Sequence, residues 1–274
     1  MKEREIFSSL RVAPPIFVRV DGRGFGKALS SLGFKKPYDE DFALAMVNST
    51  ITFFKKSGFD PLFAYLFSDE VSFYFTHLPF NGRVEKIDSI ITSFFASTLT
   101  ILLELSEPIS FDARIIVVAT TQVIDYLKSR QDEAWNNHVI SYGYYTLLKH
   151  GFNTKDAVDK LNHMKQSDIH ELTFQNGVNL GETPLWQRRG IMVYRKPQSE
   201  DPKVPDPEHH EATINRRNQR SNTLTRGPLE NKSTTKEIHQ RSHRRLVDDW
   251  GLPLFKTDEG RKFIECLLKE DHNP

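Results

Sequence analysis

The sequence lacks most of the features that mark secreted and membrane proteins. Cys266 is the single cysteine among 274 residues, so no disulfide can form within the chain. Residues 1–15 contain no signal-peptide apolar region, and nowhere do eighteen apolar residues run together. These absences exclude a disulfide scaffold and a membrane-spanning helix, and they predict a cytoplasmic protein.

The chain also lacks a large net charge, because 37 Lys and Arg balance 36 Asp and Glu. The balance conceals an uneven distribution, since residues 188–246 contain 14 Lys and Arg against 7 Asp and Glu. A basic segment attached to an acidic body suggests a polyanionic partner.

Two parts of this basic segment are candidates for binding a polyanion such as a nucleic acid. Residues 187–190 predict a basic turn that presents Arg188 and Arg189. Residues 198–240 have almost no periodicity and predict a flexible loop. The arginines of this loop would clamp a nucleic-acid backbone, unless the loop is a solvated linker; they include Arg216, Arg217 and Arg220.

What the sequence does contain is a glycine-rich segment with an acidic partner segment. In IFVRVDGRGFGK, residues 16–27, an apolar strand reaches Asp21 and meets three glycines within five residues. In LFAYLFSDEVSFYF, residues 62–75, two strand-like runs flank Asp69 and Glu70. An acidic pair therefore lies where the chain reverses.

The predicted elements run in the order strand, helix, strand, strand, helix, strand. Helical periodicity covers residues 42–56 and 83–105, and residues 111–119 (FDARIIVVA) are typical of a buried strand. This order predicts an α+β, ferredoxin-like βαββαβ domain with its first strand beside the central hairpin. The predicted divisions are a catalytic domain (1–150), an accessory helix and strands (151–197), the basic loop (198–240) and a C-terminal helical element (241–274).

The predicted topology brings Asp21 and Asp69 within a few ångströms of each other. Two such carboxylates can hold two Mg²⁺ ions about 3.5–4 Å apart, as in two-metal phosphoryl transfer. The Gly22 carbonyl could add an oxygen ligand. The alternative is that Asp21 ends a strand and that Asp69 lies at a solvated hairpin tip.

Several basic residues are candidate phosphate ligands. Arg23, Lys27 and Lys36 lie near exposed backbone N–H groups, although Arg23 and Lys36 could be ordinary surface charges. Arg114 is flanked by apolar residues and therefore needs an anion as a partner. That anion could be a ligand, or Asp112 or Asp125 in an internal salt bridge.

Five ordered motifs resemble those of the tRNA-histidine guanylyltransferase family, which includes template-dependent 3′-to-5′ polymerases. They are RVDGRGF (19–25), FKKPYD (34–39), FSDEVSFYF (67–75), FDARIIVV (111–118) and DYLKSRQ (125–131). The resemblance implies a polymerase-palm-like domain, two Mg²⁺ ions, and addition of nucleotides to the 5′ end of tRNA after activation by ATP. It also implies GTP as a substrate and assembly as a homo-oligomer.

The resemblance also assigns roles to individual residues. Asp21, Gly22 and Asp69 would bind the metal ions, with support from Glu70. Nucleotide contacts would come from the segment after the first strand and from three further positions, namely Arg23, Gly24, Phe25, Gly26, Lys27, Lys36, Ser68 and Arg114.

The chain departs from the family pattern at two places. Many relatives have histidine at the position of Gly26, and the HINNLYN segment of histidine-tRNA-specific members is WNNHVIS here, residues 135–141. The second departure favours template-dependent extension or repair of tRNA 5′ ends. Two other functions stay open, a nucleotide cyclase with the same palm and an RNA-binding module whose acidic pair is incidental.

Overall fold

The computed structural model describes residues 4–25, 32–196 and 245–269. This part of the chain is a mixed α/β structure in which helices pack on an antiparallel sheet. The strands are β1 (Ile16–Arg23), β2 (Phe63–Phe67), β3 (Glu70–Phe75), β4 (Ser110–Val117), β5 (Ile191–Lys196) and β6 (Arg245–Asp249). The helices are α1 (Glu40–Lys56), α2 (Val84–Leu102), α3 (Val123–Lys149), α4 (Thr154–Asn162), α5 (Gln166–Gln175), α6 (Leu185–Arg189) and α7 (Asp258–Lys269).

The first four strands and two helices follow the predicted order β1-α1-β2-β3-α2-β4. Within the described residues the sheet order is β4-β1-β3-β2-β5-β6. β1 is central to the site because it pairs antiparallel with both β3 and β4. The strand that contains Asp21 therefore lies directly beside the β2–β3 hairpin, as the sequence predicted.

Each face of the sheet buries a separate core. On one face, alternate residues such as Val18 and Phe73 pack with α1 and α2. On the other, Phe17 and Tyr74 pack with α3 and α7. The alternation of side chains along each strand produces this division, and each buried aromatic ring contributes about 1.5–3 kcal/mol relative to exposure.

Helix α1 begins and ends where the sequence predicts. Asp39 is its N-cap, and the Asp39 side chain accepts a hydrogen bond from the Phe42 N–H. After the helix, Gly58 adopts a φ of 78°, which a residue without Cβ tolerates best. The cap fixes the loop before α1, which forms one wall of the site described below.

Two predictions about the fold are wrong. The sequence predicts a buried strand at residues 111–119, but β4 is an edge strand and is only partly covered. The side chains of Asp112 and Arg114 are 50% and 63% exposed. The sequence predicts two short extended runs within residues 171–196, but the structure has only one strand there, β5, while residues 171–175 belong to α5 and residues 185–189 form α6.

The chain divides into two compact units, residues 1–194 with 246–274, and residues 195–245. The basic loop predicted at 198–240 lies in the second unit, outside the described residues. In the parts of the chain that the structure describes, no helix is long and apolar enough to cross a membrane.

Candidate active site

The site forms where the end of β1 meets the β2–β3 turn. Asp21 lies opposite Glu70 in the β1–β3 register, and the Gly22 N–H donates a 3.2 Å hydrogen bond to the Asp69 carbonyl. Asp21 and Asp69 also line the same polar cavity of about 380 Å³. The structure thus brings together the three residues that the sequence analysis assigned to metal binding.

Gly22 is required by the close approach of the Asp69 carboxylate. A Cβ at position 22 would lie 2.6 Å from Asp69 Oδ2 and 2.5 Å from Cε2 of the Phe25 ring. Both distances are shorter than a carbon atom tolerates. Glycine at this position therefore lets the carboxylate lie against the end of β1.

The Asp69 carboxylate is held in an unfavourable environment for its charge. Burial raises its pKa most, the neighbouring Asp21 charge raises it further, and a hydrogen bond from Ser68 opposes the change. The Ser68 Oγ donates to Asp69 Oδ1 over 3.1 Å, and Ser68 itself adopts a left-handed φ of 51°. A bound cation would offset the cost of keeping both carboxylates ionised.

The donor set fits Mg²⁺ that is shared with a nucleotide. Two carboxylates and a main-chain carbonyl are hard oxygen donors, which Mg²⁺ prefers. Within the described ranges, no cluster of three or more His, Cys, Asp or Glu side chains is placed to hold a metal ion. Two carboxylates and one carbonyl would fill only part of the coordination shell, and phosphate oxygens and water would supply the rest.

Two cavities meet at Asp69. The first, of about 390 Å³, is lined by aromatic rings together with polar groups. The second is the polar cavity that contains Asp21 and Arg19. The residues shared by both are Phe67, Ser68, Asp69 and Asn137. The candidate metal site thus lies between two spaces, each large enough for part of a nucleotide.

Glu70 lines the polar cavity together with Asp21 and Asp69, and its carboxylate is paired with arginine side chains. Its predicted support of the metal ions stays a prediction. Arg130 donates from Nε to Glu70 Oε1 over 2.9 Å and from Nη2 to Oε2 over 2.8 Å. Arg19 Nε lies 3.8 Å from Oε2. Burial still raises the pKa of Glu70 more than Arg130 lowers it. The structure therefore assigns Glu70 to an ion pair between the sheet and α3.

Sequence reasoning missed that Arg130 pairs with Glu70 beside the site. Arg130 follows Tyr126 by one helical turn, and both side chains face the sheet. The Tyr126 ring stacks on Phe17 at a centroid distance of 4.0 Å, and its hydroxyl lies 3.0 Å from Ser72 Oγ. The DYLKSRQ motif contains a signal for this arrangement, because Tyr126 and Arg130 are four residues apart and so lie on the same face of a helix.

The predicted nucleotide contacts do not all reach a cavity. Phe25 and Lys36 line the aromatic cavity, whereas Arg23 and Gly24 are exposed at the end of β1. Arg114 lines neither cavity, and its Nε lies 3.9 Å from the exposed Asp112, as in the salt-bridge alternative. Its contact with a phosphate stays a prediction. Gly26 and Lys27 lie outside the described residues.

The structure describes two of the five residues that are predicted to bind tRNA. Arg188 and Arg189 belong to α6 and are half-buried, so they do not form an exposed basic turn. The Arg189 Nη1 donates to the Leu252 carbonyl over 3.0 Å, which ties this side chain to the C-terminal segment. The other predicted contacts, Arg216, Arg217 and Arg220, lie outside the described residues.

The segment at 135–141 contributes to the site through α3. Asn137 and Ser141 line the aromatic cavity, and His138 is fully buried behind it. The His138 ring lies 4.8 Å from Tyr142 and 5.6 Å from Tyr38, and its Nε2 is 3.1 Å from Thr183 Oγ1. Its Nδ1 has no hydrogen-bond partner among the described residues.

We expect His138 to make the fold sensitive to acid. Burial lowers its pKa to about 4, from about 6.5 in the unfolded chain. The unfolded state therefore binds more protons between these values, so the free energy of unfolding should fall by up to about 3 kcal/mol as pH drops through this window.

Urea unfolding at pH values between 8 and 4 tests this expectation. His138→Phe keeps a ring and should remove the acid sensitivity that this imidazole contributes, whereas the exposed His163→Gln should leave it in place. Equal slopes for the wild type and His138→Phe would contradict the assignment.

Comparison with known proteins gives a consistent result over most of the chain. A family described as "tRNAHis guanylyltransferase" matches residues 1–119, and its "Thg1 C terminal domain" matches residues 121–246. A Drosophila melanogaster relative named "Probable tRNA(His) guanylyltransferase" is 32% identical over 192 residues, which is 66% of this chain and 67% of the relative. The Kluyveromyces lactis tRNA(His) guanylyltransferase is 30% identical over 212 residues, 72% of this chain and 89% of the relative.

A solved structure shares the fold over nearly the whole chain. It is a bacterial tRNA(His) guanylyltransferase (Thg1)-like protein in complex with ATP, with a TM-score of 0.67 and 20% sequence identity. The superposition covers 97% of this chain and 96% of that one.

Proposed function

The chain belongs to the tRNA(His) guanylyltransferase family, and on this premise we propose that it is a nucleotidyltransferase that extends the 5′ end of tRNA. Nucleotides, with GTP preferred, would be added in the 3′-to-5′ direction after ATP activates the 5′-monophosphate. The observation that carries this proposal is the position of Asp21, Gly22 and Asp69 where the two cavities meet.

The chemistry of the two cavities supports two different occupants. The aromatic cavity offers Phe25, Phe34 and Phe42 beside Lys36, which suits a nucleobase followed by phosphates. Solved neighbours of the same fold bind ATP and GTP. The polar cavity, with Arg19 at its wall, would take the phosphorylated end of the RNA. Asp69 would then lie between the two reacting groups.

The proposed reaction has two displacement steps. A tRNA 5′-phosphate oxygen attacks the α-phosphorus of ATP, and pyrophosphate leaves. The 3′-hydroxyl of GTP then attacks the activated 5′-phosphorus, and AMP leaves. Asp21, Asp69 and the Gly22 carbonyl would hold two Mg²⁺ ions, which supply Lewis-acid stabilisation of the phosphoryl charge when bound. Lys36 and Ser68 would orient the triphosphate.

Several finer features belong to the same proposal. The β4-β1-β3-β2 order of the first four strands supports a ferredoxin-like, polymerase-palm-like domain. The WNNHVIS segment supports template dependence. We also propose that the enzyme is a cytoplasmic homo-oligomer. Residues 198–240 would act as a basic tRNA clamp. The divisions at 150, 197 and 240 would separate the catalytic domain, the accessory elements, the basic loop and the C-terminal helical element.

Sequencing of tRNA 5′ ends after reaction tests the proposed activity. Full-length and 5′-truncated tRNA are incubated with Mg²⁺, ATP and each nucleoside triphosphate in turn. We expect added nucleotides only when the tRNA has a 5′-monophosphate and ATP is present, and faster addition opposite a complementary base. Unchanged 5′ ends under every condition would refute the proposal.

Two controls separate the alternative functions. A cyclase would convert a nucleoside triphosphate to a cyclic nucleotide without RNA, which chromatography of the reaction detects. An RNA-binding module would retain tRNA affinity but gain no thermal stability from Mg²⁺ with GTP. The basic segment at 188–246 argues against the cyclase, because a small substrate requires no extended cationic surface.

A further inference from the structure

A side-chain amide of fixed direction lies in the wall of the aromatic cavity. We propose that the amide nitrogen of Gln187 recognises the base of the nucleoside triphosphate by donating a hydrogen bond to O6 of guanine, and that Tyr142 holds the amide in this orientation. Adenine has an amino group in place of O6, so the contact selects GTP over ATP. The inference rests on the proposed function, because it takes the aromatic cavity as the nucleotide site.

The direction of the amide follows from its hydrogen bond with Tyr142. The Tyr142 hydroxyl donates to Gln187 Oε1 over 2.8 Å. An amide oxygen can only accept, so the hydroxyl must be the donor. Of the described residues, Gln187 lines the aromatic cavity and Tyr142 does not. The amide oxygen is therefore turned towards α3 behind the cavity wall, which leaves the two N–H groups for the cavity side.

The two donors on Gln187 Nε2 are available to a ligand. Within the part of the chain that the structure describes, this nitrogen donates no hydrogen bond. It is also accessible, unlike the buried and unpaired Nδ1 of His138. A base that enters the cavity therefore meets a donor that has no acceptor of its own.

The main chain that carries Gln187 is held in place by two buried side chains. The Arg189 carbonyl, two residues further on, accepts a hydrogen bond from Tyr65 Oη over 2.9 Å and another from Gln131 Nε2 over 3.2 Å. These contacts fix the end of α6 against β2 and α3. A donor on a fixed support loses little conformational freedom on binding, so it can discriminate between two ligands.

The position of Gln187 suits the base rather than the phosphates. Lys36 and Ser68, which would orient the triphosphate, belong to the loop before α1 and to the β2–β3 turn, whereas Gln187 belongs to α6. Trp186 also lines the cavity and can contact the flat face of a base. An adenine amino group in this place would set donor against donor and leave both unpaired, which a site built for O6 rejects.

Nucleotide binding in the absence of RNA tests the proposal. Calorimetric titration with Mg²⁺ gives the Kd of GTP, inosine triphosphate and ATP. Gln187→Leu should weaken GTP and inosine triphosphate by the same factor, about tenfold, because both bases have O6, and it should leave ATP nearly unchanged. Gln175→Leu, the same change at the exposed end of α5, is the control and should alter none of the three constants.

Two further variants separate the contact from a structural effect. Gln187→Glu replaces the donor with an acceptor, so the preference should change from GTP to ATP. The added charge acts on both triphosphates alike and cancels in the ratio of their Kd values. Tyr142→Phe frees the amide to turn, so this ratio should approach one, whereas a purely structural loss would weaken both nucleotides equally.

The outcomes distinguish this proposal from the proposed function. An unchanged ratio of GTP to ATP affinity in Gln187→Leu, or a wild type that prefers ATP, would overturn the role of Gln187. Nucleotide addition to tRNA by the same wild-type preparation would then show that the proposed function stands without it. A wild type that binds no nucleoside triphosphate would overturn both.

Discussion

Asn in place of Asp69, or of Asp21, should lower the rate of nucleotide addition by about 10³-fold or more. Removing one carboxylate from the proposed metal site forfeits several kcal/mol of transition-state stabilisation, and each 1.36 kcal/mol corresponds to a factor of about ten. Single-turnover incorporation of labelled GTP into 5′-truncated tRNA measures the loss. Retention of wild-type rates by both variants would remove the carboxylates from the mechanism.

The loss should occur without unfolding. Burial and the Asp21 charge raise the pKa of Asp69, so the fold disfavours its ionised form. A neutral asparagine should therefore leave the free energy of unfolding unchanged or slightly higher. Thermal shifts measured with Mg²⁺ and GTP should disappear in Asp69→Asn, while tRNA affinity should persist.

Asp112→Asn is the matched control for charge. Asp112 lies opposite Asp21 in the β1–β4 register, yet it lines neither cavity. The substitution removes one negative charge from the same row of the sheet. We expect near wild-type turnover. This result would show that catalysis depends on the position of the carboxylate and not on the overall negative charge at this edge of the sheet.

Local sequence patterns were sufficient to predict which segments of the backbone meet at the site. An apolar strand ending in Asp-Gly and a hairpin with Asp-Glu at its turn suffice to place Asp21 beside the β2–β3 turn, once the βαββαβ order is recognised. The N-cap at Asp39 was equally predictable, because capping depends on a few consecutive residues.

Side-chain contacts between residues that are distant in the sequence could not be predicted in the same way. Arg114 looked buried because apolar residues flank it, but its exposure depends on β4 being an edge strand, which sequence periodicity does not reveal. The pairing of Glu70 with Arg130 depends on how α3 lies across the sheet. The short helices α5 and α6 were missed because five to ten residues provide little periodicity.

The role of Glu70 can be decided by separating its charge from its pairing. Arg130→Met should cost about 3–5 kcal/mol of unfolding free energy, since it leaves a buried carboxylate with only the more distant Arg19. Adding Glu70→Gln removes the unpaired charge, so the double variant should recover most of this loss. Urea unfolding of both single variants and the double variant gives the coupling energy.

Activity of the double variant then distinguishes a structural ion pair from a catalytic carboxylate. If Glu70 serves only to bind α3 to the sheet, Arg130→Met with Glu70→Gln should add nucleotides at a rate close to the wild type, whereas Arg130→Met alone should not. If Glu70 contributes to metal binding, the double variant should stay inactive although it is folded. We expect recovery, because both carboxylate oxygens are already engaged by Arg130 in the structure.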